Sequence, residues 1–452
     1  MSKINEAMVQ AYAAPVPRYT SYPTAPHFHD GMGAGRVSSW MAALPETEAI
    51  SLYLHIPFCD RMCWFCGCHT QHVERYDPVS SYLKSLYKEI ALVSERIGRR
   101  QKVARIHLGG GSPSMLKSED LIEFQLTLRA YFEISAETEI SVEFDPTDLG
   151  KDDVQAFIDF GVTRASLGVQ DFNEKVQKAI NRPQTFGQTR DVISQLRAGG
   201  VGSVNIDALY GLPFQTQETL EATLEQVVSL HPDRIALFGY AHVPWVKPHQ
   251  KLIPEEALPG TIERYKQARF AERYLKASGY NQIGFDHFAK PGDSLALAAQ
   301  AGTLRRNFQG YTADNCQTLI GLGTSSISQY AQGYAQNTKN RHAYKRDLEN
   351  GDLAIEKGFE LSADDIVVAA AIECFLCDFR LDVAAFKARF GAAAKAVLSK
   401  CAVIVLQDQD GFFREDENGF YITEEGQPFT RTFVAGLDGY LKQAVGRYSV
   451  AV

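Results

Sequence analysis

The chain has 452 residues, 45% hydrophobic and 22% charged, which fits a globular protein of about two or three domains at ~100–200 residues each. Its formal net charge of -8 argues against a general binder of nucleic-acid backbone, although a local basic pocket would be invisible in that sum. No uninterrupted run approaches the ~18 apolar residues of a membrane span, and MSKINEAMVQAYAAPVPRY lacks the apolar stretch of a signal peptide. A cytoplasmic protein with no membrane or nucleic-acid partner is expected.

In chain order, the first fifty residues carry PRYTSYPTAPHFHDG, too proline-rich for a regular element and expected to wrap the following domain as an ordered arm. Short runs rich in Val, Ile, Leu and Phe then recur: SLYLHI, RIHLGG, EISVEF, RASLGVQ, SVNIDALYG and RIALFGY. They read as strands. Segments of helical period lie between them, such as Val79, Leu83, Leu86, Ile90 and Val93, then Leu121, Phe124 and Leu128, then Leu220, Leu224 and Val227. Parallel strands need crossovers of about a dozen residues or more, usually helical, so the alternation predicts an α/β fold with a parallel (βα)6-type partial TIM barrel. Its active end should lie at the C-terminal ends of the strands. Near 361 the pattern changes: Ser362 and Asp365 make a capping-box start to DDIVVAAAIECFLCDF. Asp410-Gly411 and Asn418-Gly419 are hairpin signals, and a final helix is expected around 431–445. The expected division is an arm over 1–50, a barrel domain with its extension over 51–350, and a smaller, mainly helical domain with a β-hairpin over 351–452.

Of eight cysteines, four fall in HIPFCDRMCWFCGCHT, at Cys59, Cys63, Cys66 and Cys68, with the spacing C-x3-C-x2-C-x-C just after the first strand. Clustered thiols point to metal in a reducing compartment rather than to a disulfide framework. A structural zinc site usually has paired C-x2-C hooks or histidines. For iron–sulfur chemistry, Cys59, Cys63 and Cys66 can each ligate one iron and leave a fourth iron open. Cys68 is assigned to the surroundings, and His55 and His69 are candidates to support the site. Cys374 and Cys377 form C-x2-C, but the helical period around them favours burial in a core.

C-x3-C-x2-C with Phe65 before the last cysteine resembles the radical S-adenosylmethionine superfamily. PRYTSYPT, LHIPFC, FCGC, GGGSP, EFDP, GVQDFN, NIDALYGLP, YAH, DHFA and NFQGYT extend the resemblance over nearly the whole chain, to the oxygen-independent coproporphyrinogen III oxidase family. That resemblance implies a 4Fe-4S cluster, two molecules of S-adenosyl-L-methionine, and oxidative decarboxylation of two propionates of coproporphyrinogen III to vinyl groups, giving protoporphyrinogen IX. It also implies an electron donor and an external electron acceptor; a monomer is expected.

By position within the matching motifs, Tyr53, Gly110, Glu143 and Ile327 would contact the cofactor on the cluster, with Tyr53 and Glu143 at the catalytic centre. Phe65, Gly111, Ser112, Gln170, Arg182, Asp207 and Ala241 would line the second cofactor site. Ser112 stands where the family more often has threonine, and the hydroxyl is kept. The residue types suit these roles: glycines allow close backbone approach, Asp207 can accept from ribose hydroxyls, and Arg182 can pair with a carboxylate. Glycines 109–111 taken alone read as a strand-to-helix turn, whereas Glu143 and Asp207 lie in apolar surroundings where a carboxylate is costly unless paired or used. For a substrate with four propionates, Arg18 and Tyr19 in the arm, Arg305, Arg306 and Gln309 are candidates, although an Arg pair is more often a solvated face. A related haem chaperone and a haem-degrading radical methyltransferase are the competing readings; Cys68 and the arm favour the oxidase.

Overall fold

The computed structural model describes residues 4–441 apart from 148, and residue 448. Six strands carry the barrel: β1 (Ile50–Ile56), β2 (Lys102–Gly110), β3 (Glu133–Phe144), β4 (Arg164–Gln170), β5 (Ser203–Tyr210) and β6 (Arg234–Gly239). They pair in chain order, all parallel, so the six apolar runs form the expected partial barrel. The crossovers include α1 (Asp77–Ile97), α2 (Ser118–Tyr131), α3 (Lys151–Phe160), α4 (Phe186–Ala198) and α5 (Gln217–Ser229). Proline near the start of α1 and left-handed Gly98 at its end bound that helix.

The burial pattern explains why the barrel holds a polar site. Along β4, Ala165, Leu167 and Val169 are buried while Arg164, Ser166, Gly168 and Gln170 are only partly so; along β5 the same alternation separates Val204 and Ile206 from Asn205 and Asp207. Successive strand residues face opposite sides. One set therefore packs into the helix-covered core, and the other lines the barrel interior.

The sheet extends beyond the barrel on both edges to twelve strands and remains open. Outside β1 lies β7 (Leu319–Leu322), parallel to it, followed by antiparallel strands Ile327–Tyr330, Gly333–Asn337 and Ile355–Glu360. The helical pattern then begins where expected: α6 (Ala363–Asp378) is capped by Ser362, with Asp365 completing the box.

Asn418-Gly419 lies at the turn between antiparallel Phe413–Glu415 and Gly419–Ile422. Asp410-Gly411 instead joins a helix, Ala394–Gln407, to the first of those strands. The last helix spans Thr430–Ala435, shorter than expected: the chain turns and bends over 436–440, and 442–445 lie outside the described residues. The stretch Val383–Gln407 is long and apolar enough by composition to cross a membrane. It is divided at Gly391 into two helices and carries Lys387, Arg389, Lys395 and Lys400.

The arm serves both domains: Met32, Val37, Trp40 and Met41 pack into the barrel core, as the expected wrap requires, while its earlier part turns to the C-terminal domain. Val9, Tyr19 and Tyr22 are buried in the core of the C-terminal domain, and the Tyr19 hydroxyl donates to Asp438 at 3.0 Å. Aromatic burial against α6 and its neighbours draws this earlier part there. The arm does contain regular structure: a helix over Glu6–Tyr12, a single turn over Ala25–His27 and a helix over Ala34–Ala42.

Candidate active site

The cysteine loop leaves β1 at the C-terminal end of the sheet. Cys59, Cys63 and Cys66 line one cavity with Phe65, Cys68, Gly110, Gly111, Ser112, Glu143, Gln170, Arg182 and Asp207. Each of the three thiols has its own polar neighbour: Thr70 Oγ1 lies 3.1 Å from Cys59 Sγ, Arg182 Nη1 donates to Cys63 Sγ at 3.7 Å, and the Cys68 N–H donates to Cys66 Sγ at 3.3 Å. Hydrogen bonds from Cys68, aided by the charges of Lys247 and Arg182, outweigh burial and draw the Cys66 thiol down to about 7. Among the described residues no three His, Cys, Asp or Glu side chains are arranged to hold a single metal ion. Three unpaired thiols spread around one cavity suit a polynuclear cluster, with one thiolate to each of three irons.

Glu143, next to last in β3, has Oε2 accepting from the Gly110 N–H at 2.9 Å and Oε1 3.2 Å from His107 Nε2. Burial opposes its charge, but these two donors and the nearby imidazoles outweigh it and hold the carboxyl below its ordinary range. Asp207 shows the opposite balance. Burial, reinforced by the Glu143 charge, raises it to about 6 from 3.8, against hydrogen bonds from Asn205 at 2.7 Å and Ser166 at 3.3 Å.

The folded protein therefore binds a proton at Asp207 between these two values that the unfolded chain does not. This site favours folding as pH falls through 6, and ionisation above 6 costs roughly 3 kcal/mol. Asp207→Asn is expected to stabilise the cofactor-free protein at pH 8 by up to that amount, with the gain vanishing near pH 4. Denaturant midpoints across that range would check it.

Gly110 and Gly111 do more than turn the chain. Gly110 has φ +111°, and a Cβ there would fall on the His55 ring; one on Gly111 would fall on the backbone of Phe58 and Ile56. The Gly111 and Ser112 N–H groups bind the carbonyls of Ile56 and Phe58 at 2.8 and 2.7 Å, stitching β2 to the cysteine loop. Gly111→Ala is expected to cost about 1–3 kcal/mol through overpacking against backbone, read as a lowered melting temperature. Gln170 is held at φ +69°, beside a register shift between β4 and β5; a bulge of this kind re-aims a side chain.

Arg182 is buried between Asp145 Oδ2 at 2.5 Å and the Gly168 carbonyl at 2.7 Å, and its Nε donates to Gln184 at 3.1 Å. It places a fixed cation against the wall of the cysteine cavity.

Comparison with known proteins accords with this geometry. Residues 53–227 match the radical SAM superfamily model and residues 361–429 the HemN C-terminal domain model. An oxygen-independent coproporphyrinogen III oxidase of Cereibacter sphaeroides is 42% identical over 99% of both chains, and one of Bradyrhizobium diazoefficiens 44% over 97% of both. This chain belongs to the oxygen-independent coproporphyrinogen III oxidase family. The solved coproporphyrinogen III oxidase (HemN) of Escherichia coli, described as a radical SAM enzyme, superposes with a TM-score of 0.89 at 36% identity, covering 94% of this chain and 97% of that one.

Three expected cofactor residues of this oxidase-family chain stand outside the lining of the cysteine cavity. Tyr53 is placed behind it: its hydroxyl lies 2.9 Å from His55 Nδ1 and its ring stacks on His107, the partner of Glu143. Ile327 lies across Gly321 from Tyr53, its backbone packed against that glycine. The Ala241 carbonyl accepts from Gln250 Nε2, which also donates to the Phe65 carbonyl. His55 Nε2 lies 2.9 Å from the His69 carbonyl, and His69 Nε2 3.1 Å from that of Lys339.

The substrate candidates separate. Arg18 donates to the Gly239 carbonyl at the end of β6. Tyr19 lines a cleft with Arg305 and Arg306. Gln309 instead faces the lower barrel cavity, which meets the cysteine cavity at Ser166. The Arg pair is no solvated face: Arg305 pairs with Glu373 at 3.1 Å, and the Arg306 guanidinium is buried over the rings of Tyr311 and Phe285, 3.6 Å from Asp286. Residues missed in the sequence include Arg105 and His107 in the barrel interior. Their alternation with Ile106 and Leu108 in RIHL was the available signal.

Proposed function

We propose that this protein carries out the anaerobic decarboxylation of two propionate side chains of coproporphyrinogen III to vinyl groups, giving protoporphyrinogen IX. The observation that carries this reading is one cavity, at the C-terminal ends of the barrel strands, where three loop thiols face Glu143, Arg182 and Asp207, in a chain alike to named oxidases over its full length. When bound, a reduced 4Fe-4S cluster and S-adenosyl-L-methionine supply the one-electron chemistry that removes a hydrogen atom from the substrate.

In this reading Cys59, Cys63 and Cys66 hold the cluster as thiolates. Glu143, ionised and fixed by Gly110, accepts from the amino group of the cofactor beside the cluster, with Tyr53 and Ile327 bounding it. A second cofactor molecule is held by Phe65, Gly111, Ser112, Gln170, Arg182, Asp207 and Ala241: Arg182 offers its charge to a carboxylate and Asp207 accepts from ribose hydroxyls. Gly110 and Gly111 leave room for both to approach the backbone. Arg18, Tyr19 and Gln309 contact the substrate. The reading includes a cytoplasmic monomer served by an electron donor and an external electron acceptor.

The test is an anaerobic assay of reconstituted protein with reductant, S-adenosyl-L-methionine, coproporphyrinogen III and a cell extract to supply the acceptor. Protoporphyrinogen IX is expected; cleavage of the cofactor with no vinyl product would overturn the assignment.

A further inference from the structure

Residues 243–250, after β6, lie across the cysteine loop, and no part of the site so far described accounts for what they do there. Three carbonyls within four residues of the loop are held from this segment: Gln250 Nε2 donates to Phe65 O at 3.0 Å, His249 Nε2 to Cys66 O at 2.7 Å, and Lys247 Nζ to Cys68 O at 2.9 Å. Gln250 is 1% exposed and makes three bonds, since it also donates to Ala241 O at 3.2 Å and accepts from the Val243 N–H at 2.6 Å.

We infer that this segment is a clamp that positions the cysteine loop, with Gln250 the positioning residue that locks Phe65 and Ala241, from two distant parts of the chain, into one wall. The physical argument is that a loop carrying three ligands gains little order from its own backbone. Between Cys59 and Cys68 the backbone bonds to partners outside the loop are few, among them the Trp64 N–H to Ile180 O at 2.9 Å and the Val73 N–H to Cys59 O at 3.0 Å. Asn181 Nδ2 adds a bond to Met62 O at 2.9 Å. The half of the loop holding Cys66 relies on the clamp. Because donors to backbone carbonyls do not compete for the thiols, the clamp fixes the loop without occupying a ligand.

The inference rests on the reading that Cys59, Cys63 and Cys66 hold the cluster. Gln250→Glu keeps the length and the acceptor for Val243 but faces two carbonyls with a carboxyl group. His249→Ala removes one donor, and His249→Gln can restore it through an amide. Full-length reconstituted proteins would be compared by the rate at which a chelator strips iron, by the electron paramagnetic resonance of the reduced cluster with and without S-adenosyl-L-methionine, and by KM for that cofactor.

Gln250→Glu and His249→Ala are expected to lose iron about tenfold faster, the effect of one or two net hydrogen bonds, and to broaden the cluster signal, while His249→Gln stays within about twofold of the parent. Should Gln250→Glu fail to fold, the His249 pair decides. Iron loss, spectrum and KM all unchanged in His249→Ala would overturn the clamp. A cluster retained in full after Cys59, Cys63 and Cys66 are each replaced by alanine would overturn the underlying assignment instead.

Discussion

Cys63→Ser is expected to remove the intact 4Fe-4S cluster and with it all measurable formation of protoporphyrinogen IX, while the barrel still folds. Cys63 is the buried member of the three thiols, and Arg182 Nη1 donates to its sulfur. A serine hydroxyl is a far poorer ligand for iron than a thiolate, and three irons with two remaining thiolates cannot hold a cubane with one open position. The effect should be equal at Cys59 and Cys66. Cys68→Ser is the contrast: the Cys68 backbone N–H that reaches Cys66 Sγ survives the change, and a serine hydroxyl can donate where the Cys68 thiol does, so that variant should retain iron. Iron and acid-labile sulfide content, read beside turnover, check both halves. Full activity in Cys63→Ser would remove the cluster assignment, and iron loss in Cys68→Ser would show that the fourth thiol also matters.

Arg182→Met is expected to destabilise the protein by about 3–5 kcal/mol, because it strands the Asp145 carboxylate in a site with little access to water. The pair is close, at 2.5 Å, and its side chains are only 9% and 14% exposed. Burial works against the guanidinium, but Asp145 and the Cys63 sulfur outweigh it and raise its proton affinity. Arg182→Met combined with Asp145→Asn should recover much of the stability, since no buried charge is then left alone. Turnover should not recover, because the cation proposed to meet a cofactor carboxylate is still missing. Chemical denaturation of all three variants, with activity measured on each, separates the two roles. A double variant as unstable as the single one would mean that Arg182 acts through Gly168 and Gln184 rather than through Asp145.

The cysteine spacing, the six apolar runs and the Ser362 cap were legible without coordinates because each depends on neighbours within a few residues. The alternation of Leu167 and Val169 with Ser166 and Gly168 likewise encodes a strand with one face in the core and one in the lumen. Other features could not be read so directly. Arg305 and Arg306 fit a solvated face in sequence, yet Glu373 and Asp286, contributed by remote segments, bury and pair them. The arm was read as a wrap around the barrel, which holds for Met32 to Leu44, but Tyr12, Tyr19 and Tyr22 find partners in the last fifty residues: the Tyr12 hydroxyl meets Asp408, and the Tyr22 hydroxyl accepts from the Gly439 N–H.

Sequence by itself determined the barrel, the helical domain and the three candidate iron ligands, since periodicity, capping and ligand spacing are local properties of a chain. Tertiary structure alone decided which carboxylate stays ionised. Glu143 meets Gly110 and His107 on the neighbouring strand and is held charged, whereas Asp207 sits within the field of Glu143 and holds its proton more tightly. It also decided that Gln250 grips Phe65 across 185 residues of sequence. Desolvation, Coulomb interactions and long-range hydrogen bonds depend on distance in space, and spacing along the chain does not record it.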